Sequence, residues 1–264
     1  MKVCIHTVIK NELDEYLISW LDHHTKMVDH IFIFEDFGSH SHKHVTDDYE
    51  NVSLQPVSVL TNNQEQRYYI KEGVMYIKAK NEYDWLFTLD IDEFIELQHP
   101  YKAITDVLSD FQDKDAVLLQ WMNFGASGRI YKPDYQGRDY REFYTQPAND
   151  TNWDEQAKAN TKIAWNLNKI TRWNVTGLHC CAGNWVKTNG EKTRKKKVYD
   201  KMYLSHYITK SWEEYIWKIY KRGLFTKNKH RSDNDFFEVN PDMLPMREEL
   251  KIIKEKILQK WHIT

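Results

Sequence analysis

Polar and apolar positions alternate over Val3 to Ile9, and a similar run follows at His30 to Phe34. A period of two belongs to a strand. Between these runs Leu13, Tyr16, Leu17, Trp20, Leu21 and His24 recur at three- and four-residue steps, the spacing of one helix face. The pattern then predicts a strand over Val52 to Val59, a helix over Gln64 to Glu82 and a strand over Trp85 to Leu89. A helix over Tyr101 to Phe111 and a strand over Ala116 to Trp121 follow. Strands alternating with helices predict an α/β fold, with a mostly parallel sheet covered on both faces.

The order changes after Asn123. Asn123 to Gly128 reads as a small-residue turn, and Tyr131 to Trp165 is polar and aromatic without a clear period. Long irregular segments in compact domains often bind substrate. Short strands are expected over Lys169 to Val175, Trp185 to Lys187 and Met202 to Tyr207. Ser211 is placed to cap a helix running to Arg222 and ended by Gly223. Arg247 to Trp261 predicts a last amphipathic helix, with Leu250, Ile253, Ile257, Leu258 and Trp261 on one side. Packing against the protein or a second copy is the expected use of that face. A seat on a membrane surface is the sharper alternative, which Glu248, Glu249 and Glu255 disfavour.

Composition narrows the function classes. The chain has 264 residues, enough for one large domain with a modest appendage. Its formal net charge of -2 disfavours a nucleic-acid partner, which asks for a broad basic surplus. The local exception, Lys192 to Lys197, reads as a solvated loop, or as a loop facing phosphate or anionic lipid. The three cysteines, Cys4, Cys180 and Cys181, lack metal-ligand spacing, and so sparse a set suits a reducing compartment. No signal-peptide pattern and no run of about eighteen apolar residues is present, so a cytoplasmic location is expected, with peripheral contact at the inner face of a membrane left open.

The chemistry concentrates at Trp85-Leu86-Phe87-Thr88-Leu89-Asp90-Ile91-Asp92-Glu93-Phe94. An apolar strand ends there by releasing carboxylates, hard oxygen ligands suited to Mg²⁺ or Mn²⁺ carrying a phosphorylated substrate. Other polar groups also follow strands, namely Lys10-Asn11-Glu12 and Asp36. In an open α/β sheet such ends converge on one crevice.

Five ordered segments carry a family resemblance. They are Lys10-Asn11-Glu12 with Trp20 and His23-His24, Phe34 to Ser39, Trp85 to Phe94, Trp121 to Gly128, and Ser205 to Tyr215 with Lys218 and Arg222-Gly223. Together they resemble glycosyltransferases of the GT-A type, in the family 2-like and family 92-like group. The resemblance implies a Rossmann-like GT-A catalytic domain over 1–225 and a C-terminal helical extension over 226–264. Within that domain it implies a nucleotide-sugar-binding half, 1–122, and an acceptor-binding half, 123–225. It further implies an inverting transfer from a nucleotide diphosphate sugar to a saccharide or lipid-linked saccharide acceptor, in surface polysaccharide synthesis. A UDP-sugar is the expected donor, with UDP-galactose first and UDP-glucose and N-acetylated sugars close behind.

On this reading Mn²⁺ or Mg²⁺ is held by Asp92, with Asp90 supporting the ribose or a metal-bound water and Glu93 behind them. His206 completes the metal shell, with His179 as its alternative. Thr7, Ile9, Lys10, Asn11, Glu12 and Asp36 line the nucleotide, joined by Ile91 and Asp90, while Lys71 and Lys210 are the candidate phosphate contacts. Asp154 and Glu155, beside Trp153, are the candidates for the general base that a single displacement requires. Ordinary structural uses compete throughout: Asn11 and Glu12 could cap the helix after them, and Lys71 could sit on a solvated helix face. A nucleotidyltransferase would want a glycine-rich loop after the first strand, which Ile9-Lys10-Asn11-Glu12 lacks. A phosphohydrolase would want a nucleophile there. A carbohydrate-binding protein on a degenerate transferase fold is the third rival.

Overall fold

A computed structural model describes residues 1–36, 40–58, 63–148, 161–176, 179, 181–193, 197–220 and 232–261, with the side chains of 63–67 excepted. The chain forms β1 (Val3–Ile9), α1 (Asp14–His24), β2 (His30–Asp36), α2 (Lys43–Thr46), β3 (Val52–Val57), α3 (Asn63–Lys80), β4 (Trp85–Thr88) and β5 (Glu93–Leu97). It continues through α4 (Ile104–Leu108), β6 (Ala116–Phe124), β7 (Thr161–Asn166), β8 (Trp185–Lys187), β9 (Met202–Tyr207), α5 (Trp212–Tyr220), α6 (Asp233–Val239) and α7 (Arg247–Lys260).

The strands form one sheet in the order β3-β2-β1-β4-β7-β6-β9-β5, with β8 also paired to β6. The strands β1 to β4 are parallel, as the alternation with helices predicts. Two strands break that rule: β7 lies antiparallel between β4 and β6, and β5 lies antiparallel on β9 at the far edge. Neither was foreseen. The expected strand over Lys169 to Val175 is instead a run of turns, where Asn174 ties its side chain to the Thr171 backbone and hydroxyl.

Two cores cover the two faces. Val3, Ile5 and Ile9 of β1 point toward α1, while Cys4 and Val8 point toward α3. Gly73 lets α3 approach that second face, since a Cβ there would meet the His6 ring at 2.4 Å. A third core joins α5, α6 and α7, with Trp212 and Tyr215 packed among Phe236, Leu250, Ile253 and Ile257. The apolar side of the last helix is therefore turned inward, against α5. Among the described residues no helix is long and apolar enough to cross a membrane.

α1 also fixes the edge strand. Its first turn carries Asp14 and Glu15, matched to the helix dipole, and its last turn His23 and His24. Trp20 Nε1 donates to the Glu93 carbonyl at 2.8 Å, and His23 Nε2 donates to that of Ile95 at 2.8 Å. Ile95 N donates to His24 Nε2 at 3.2 Å. These bonds hold the start of β5, where the acidic turn ends.

Candidate active site

The acidic segment links two distant strands. β4 lies inside the sheet and β5 at its edge, so residues 89–92 must cross the ends of β7, β6 and β9. Register then selects the neighbours. Glu93 pairs with His206 of β9, and His206 pairs with Asn123 of β6. Ligand atoms of Asp92, Glu93 and His206 all lie within 4.8 Å of one another, and all three residues are buried.

His206 is held in one useful tautomer. Its Nδ1 donates to Asn123 Oδ1 at 2.9 Å, which leaves the Nε2 lone pair facing Asp92 Oδ1 at 3.6 Å. Trp121 packs on the imidazole at 4.4 Å between ring centres. Burial holds the His206 pKa down, at about 3, against the opposite pull of Asp92, so the ring is neutral in ordinary buffers. Neutral imidazole is the form that binds metal.

The carboxylates divide by environment. Burial pushes Asp92 upward, but the Lys218 ammonium above all pulls it down, leaving the group well below the usual carboxylate range. Lys218 Nζ donates to Asp92 Oδ2 at 2.8 Å. Glu93 goes the other way: burial dominates and holds it well above that range, although Lys162 pulls it down. Its Oε2 accepts from Asp90 N at 2.9 Å, while Oε1 has no hydrogen-bond partner and lies 3.5 Å from Lys162 Nζ. Asp90 is the outermost, with 40% of its side chain exposed, and accepts from Lys162 at 2.7 Å.

Lys210 follows β9 in a left-handed conformation, φ 56°. Its ammonium lies over the Tyr16 ring at 4.4 Å and the Tyr140 ring at 5.1 Å, a setting favourable to a cation. Behind it Ser211 and Glu214 form a reciprocal cap on α5: Ser211 N donates to Glu214 Oε2 at 3.0 Å, and Glu214 N donates to Ser211 Oγ at 3.2 Å. The Tyr16, Tyr135 and Tyr144 hydroxyls also donate to Glu214. The helix start beside Lys210 is thereby anchored to α1 and to the 135–144 segment.

The ends of β1 and β2 form the other side of the crevice. Lys10 pairs with the buried Asp36 at 3.4 Å, and Asn11 has φ 48°. His42 ties the two strand ends together, with Nδ1 donating to Glu35 at 2.6 Å and Nε2 donating to the Glu12 carbonyl at 2.9 Å. Two acceptors require both ring nitrogens to carry protons. Burial works against that charge, but the Glu35 and Glu12 contacts prevail and raise the His42 pKa.

The predicted residues fall into clear groups. Asp92 and His206 are in one cluster with Glu93, while Asp90 stands beside it on Lys162. His179 sits nearby, its ring 5.2 Å from Trp121, with Nδ1 bonded to the Thr161 carbonyl at 2.9 Å. Ile9 and Ile91 are buried in the α1-side core. Thr7 is 1% exposed, with its hydroxyl unpartnered. Lys71 is half-buried on α3. Asp154 and Glu155 lie outside the described residues, as does the centre of the Lys192 to Lys197 run. Sequence reasoning missed Lys162 entirely. Its one signal was a lone charge ahead of the apolar Ile163-Ala164-Trp165.

The arrangement can hold a divalent cation and several negative charges at one sheet end. Among solved structures, a 4-diphosphocytidyl-2C-methyl-D-erythritol synthase is 11% identical, with a TM-score of 0.40, covering 75% of this chain and 93% of its own. The same-named enzyme from Anaerococcus prevotii gives 11% and 0.36, over 75% and 90%. A protein assigned as a nucleotide-diphospho-sugar transferase from Desulfovibrio desulfuricans gives 10% and 0.35, over 67% and 69%. Likeness at these scores carries no functional weight. Among curated proteins no match is found. The model of glycosyltransferase family 92, by contrast, matches residues 1–246, nearly the whole chain, and the protein therefore belongs to that family of glycosyltransferases.

Proposed function

We propose that the protein transfers a sugar from a UDP-sugar to a hydroxyl of a saccharide or lipid-linked saccharide, using Mn²⁺ or Mg²⁺ and inverting the anomeric centre. The observation that carries this reading is the buried Asp92, Glu93 and His206 cluster, in which one Glu93 oxygen accepts no hydrogen bond. Two carboxylates and a neutral imidazole fit a divalent ion, and the imidazole favours Mn²⁺ over Mg²⁺. When bound, the ion would neutralise charge gathering on the leaving diphosphate.

The protein's own groups supply the rest. Asn123 keeps the His206 lone pair directed at the cluster. Lys210 and Lys218 bring ammonium groups to the side where a diphosphate would lie. Asp90, the exposed carboxylate, is suited to accept from a ribose hydroxyl. Lys10, Asn11, Glu12 and Asp36 frame the nucleotide at the neighbouring strand ends. The donor half is assigned to 1–122, the acceptor half to 123–225 and the extension to 226–264. Asp154 or Glu155 is assigned as the base that takes the acceptor proton. UDP-galactose is the first donor to try, and a surface polysaccharide made at the cytoplasmic face is the proposed product.

Calorimetry with a panel of nucleotides, with and without Mn²⁺, tests the reading. The expected result is Mn²⁺-dependent selection of UDP over ADP, GDP and CDP, abolished by Asp92→Ala. Metal-independent binding, or binding unchanged in that variant, would sink it. Preference for a nucleoside triphosphate would favour the nucleotidyltransferase rival.

A further inference from the structure

Asp92 turns its two oxygens to different partners. Oδ1 faces His206 Nε2 at 3.6 Å. Oδ2 accepts from Lys218 Nζ at 2.8 Å. A divalent ion held by Asp92, Glu93 and His206 would share this carboxylate with the ammonium. Two cations that close in a partly buried site repel strongly. The neutralising charge that relieves this repulsion must come from a ligand, and a diphosphate carries it.

Lys218 is built to move between such partners. It lies in the last turn of α5, the end opposite the Ser211 and Glu214 cap, so its helix is anchored at the far end. Its side chain is 13% exposed, and lysine is a compact charge on a flexible stem. It also donates to the Ile208 carbonyl at 3.4 Å, a long contact. Lys162 contrasts with it. That lysine is 1% exposed on β7, fixed by Asp90 at 2.7 Å, with Glu93 at 3.5 Å.

We infer that Lys218 is a placeholder cation, which holds Asp92 in the ligand-free protein and passes to the diphosphate of the incoming nucleotide when metal and nucleotide bind together. The inference rests on the donor-site reading above. It gives the buried Asp92 carboxylate a counter-charge before any metal arrives, and it makes metal and nucleotide binding mutually dependent. Such coupling is reciprocal: each ligand raises the affinity of the other by the same factor.

The test uses Lys218→Met in the full chain, with Mn²⁺ alone followed by electron paramagnetic resonance and UDP at saturating Mn²⁺ followed by calorimetry. The two affinities are expected to move in opposite directions, Mn²⁺ alone binding about tenfold tighter and UDP about tenfold weaker, sizes typical of one lost charge contact in a partly buried site. Lys218→Gln should repeat the pattern, which guards against a folding defect peculiar to the first variant. Lys218→Arg, which keeps the charge, should leave Mn²⁺ affinity near that of the parent. Unchanged or weaker Mn²⁺ binding in the neutral variants, or UDP affinity that does not fall, overturns the exchange. If the parent protein binds neither Mn²⁺ nor UDP, the donor-site reading fails first and the exchange falls with it.

Discussion

Glu93 and Glu214 are the same residue type, 0% and 4% exposed, yet the fold treats them in opposite ways. Glu214 accepts from the Tyr16, Tyr135 and Tyr144 hydroxyls, from Ser211 Oγ at 2.5 Å and from Ser211 N at 3.0 Å. Glu93 accepts one hydrogen bond, from Asp90 N, and its other oxygen accepts none, with the Lys162 ammonium 3.5 Å away. Burying a carboxylate is costly unless its lone pairs are satisfied. Glu214 is satisfied from within, by groups on α1, on the 135–144 segment and at the start of α5. Glu93 is left incomplete beside Asp92 and His206. A saturated buried acid holds elements together; Glu93, less satisfied and set among potential ligands, is the acid that the proposed function gives to the metal.

The largest effect expected from this contrast is on stability at Glu214. Glu214→Ala strands three buried tyrosine hydroxyls and removes half of the α5 cap, so urea denaturation should show a loss of about 3–5 kcal/mol. A loss under about 1 kcal/mol would break the comparison.

His6 sharpens it, because openness alone does not make a site. Both His6 ring nitrogens lack partners, but the ring is sealed between β1 and Gly73, with Phe34 against its edge at 4.7 Å. Burial depresses its pKa to about 3. The unfolded chain takes up a proton below about pH 6.5 that the folded chain refuses, so stability is lost as pH falls from there toward the folded value. His6→Leu removes this penalty, and relative to the parent it should gain about 2 kcal/mol between pH 7 and pH 5. UDP binding should be unchanged by it. A relative stability that does not vary with pH would contradict the sealed setting.

The smallest effect concerns Glu35, which His42 and Ser41 satisfy. The folded His42 pKa is raised, so the stabilisation is fully present below about pH 6.5 and is lost as pH rises through the folded value. His42→Ala should therefore cost about 1 kcal/mol at pH 6 and less at pH 9, measured by thermal melting in matched salt. A cost that does not change with pH would show that the ring acts there by packing alone.

Much of the fold was legible where one local rule governs a segment. The alternation of strands and helices located β1 through β4, and the acidic strand end located Asp90 and Asp92. β7 was hidden because all of Thr161 to Asn166 is buried, so no alternation marks it, and Lys162 in its midst reads as loop. β5 was hidden because Glu93 read as the tail of an acidic motif rather than as a buried strand residue. Lys162 meets Asp90 across 72 residues, and Glu214 gathers Tyr16 across 198. No local spacing encodes such pairs; they follow only from the order in which strands join the sheet.

Glu93→Gln tests the difference most directly. The change keeps the shape, removes the acid's ability to ionise onto a cation and leaves the Glu214 cluster intact. Calorimetry of UDP with Mn²⁺ should show binding lost, while the urea midpoint stays within about 1 kcal/mol of the parent. UDP binding with undiminished Mn²⁺ dependence in a stable Glu93→Gln protein would contradict the assignment of that open carboxylate to the metal.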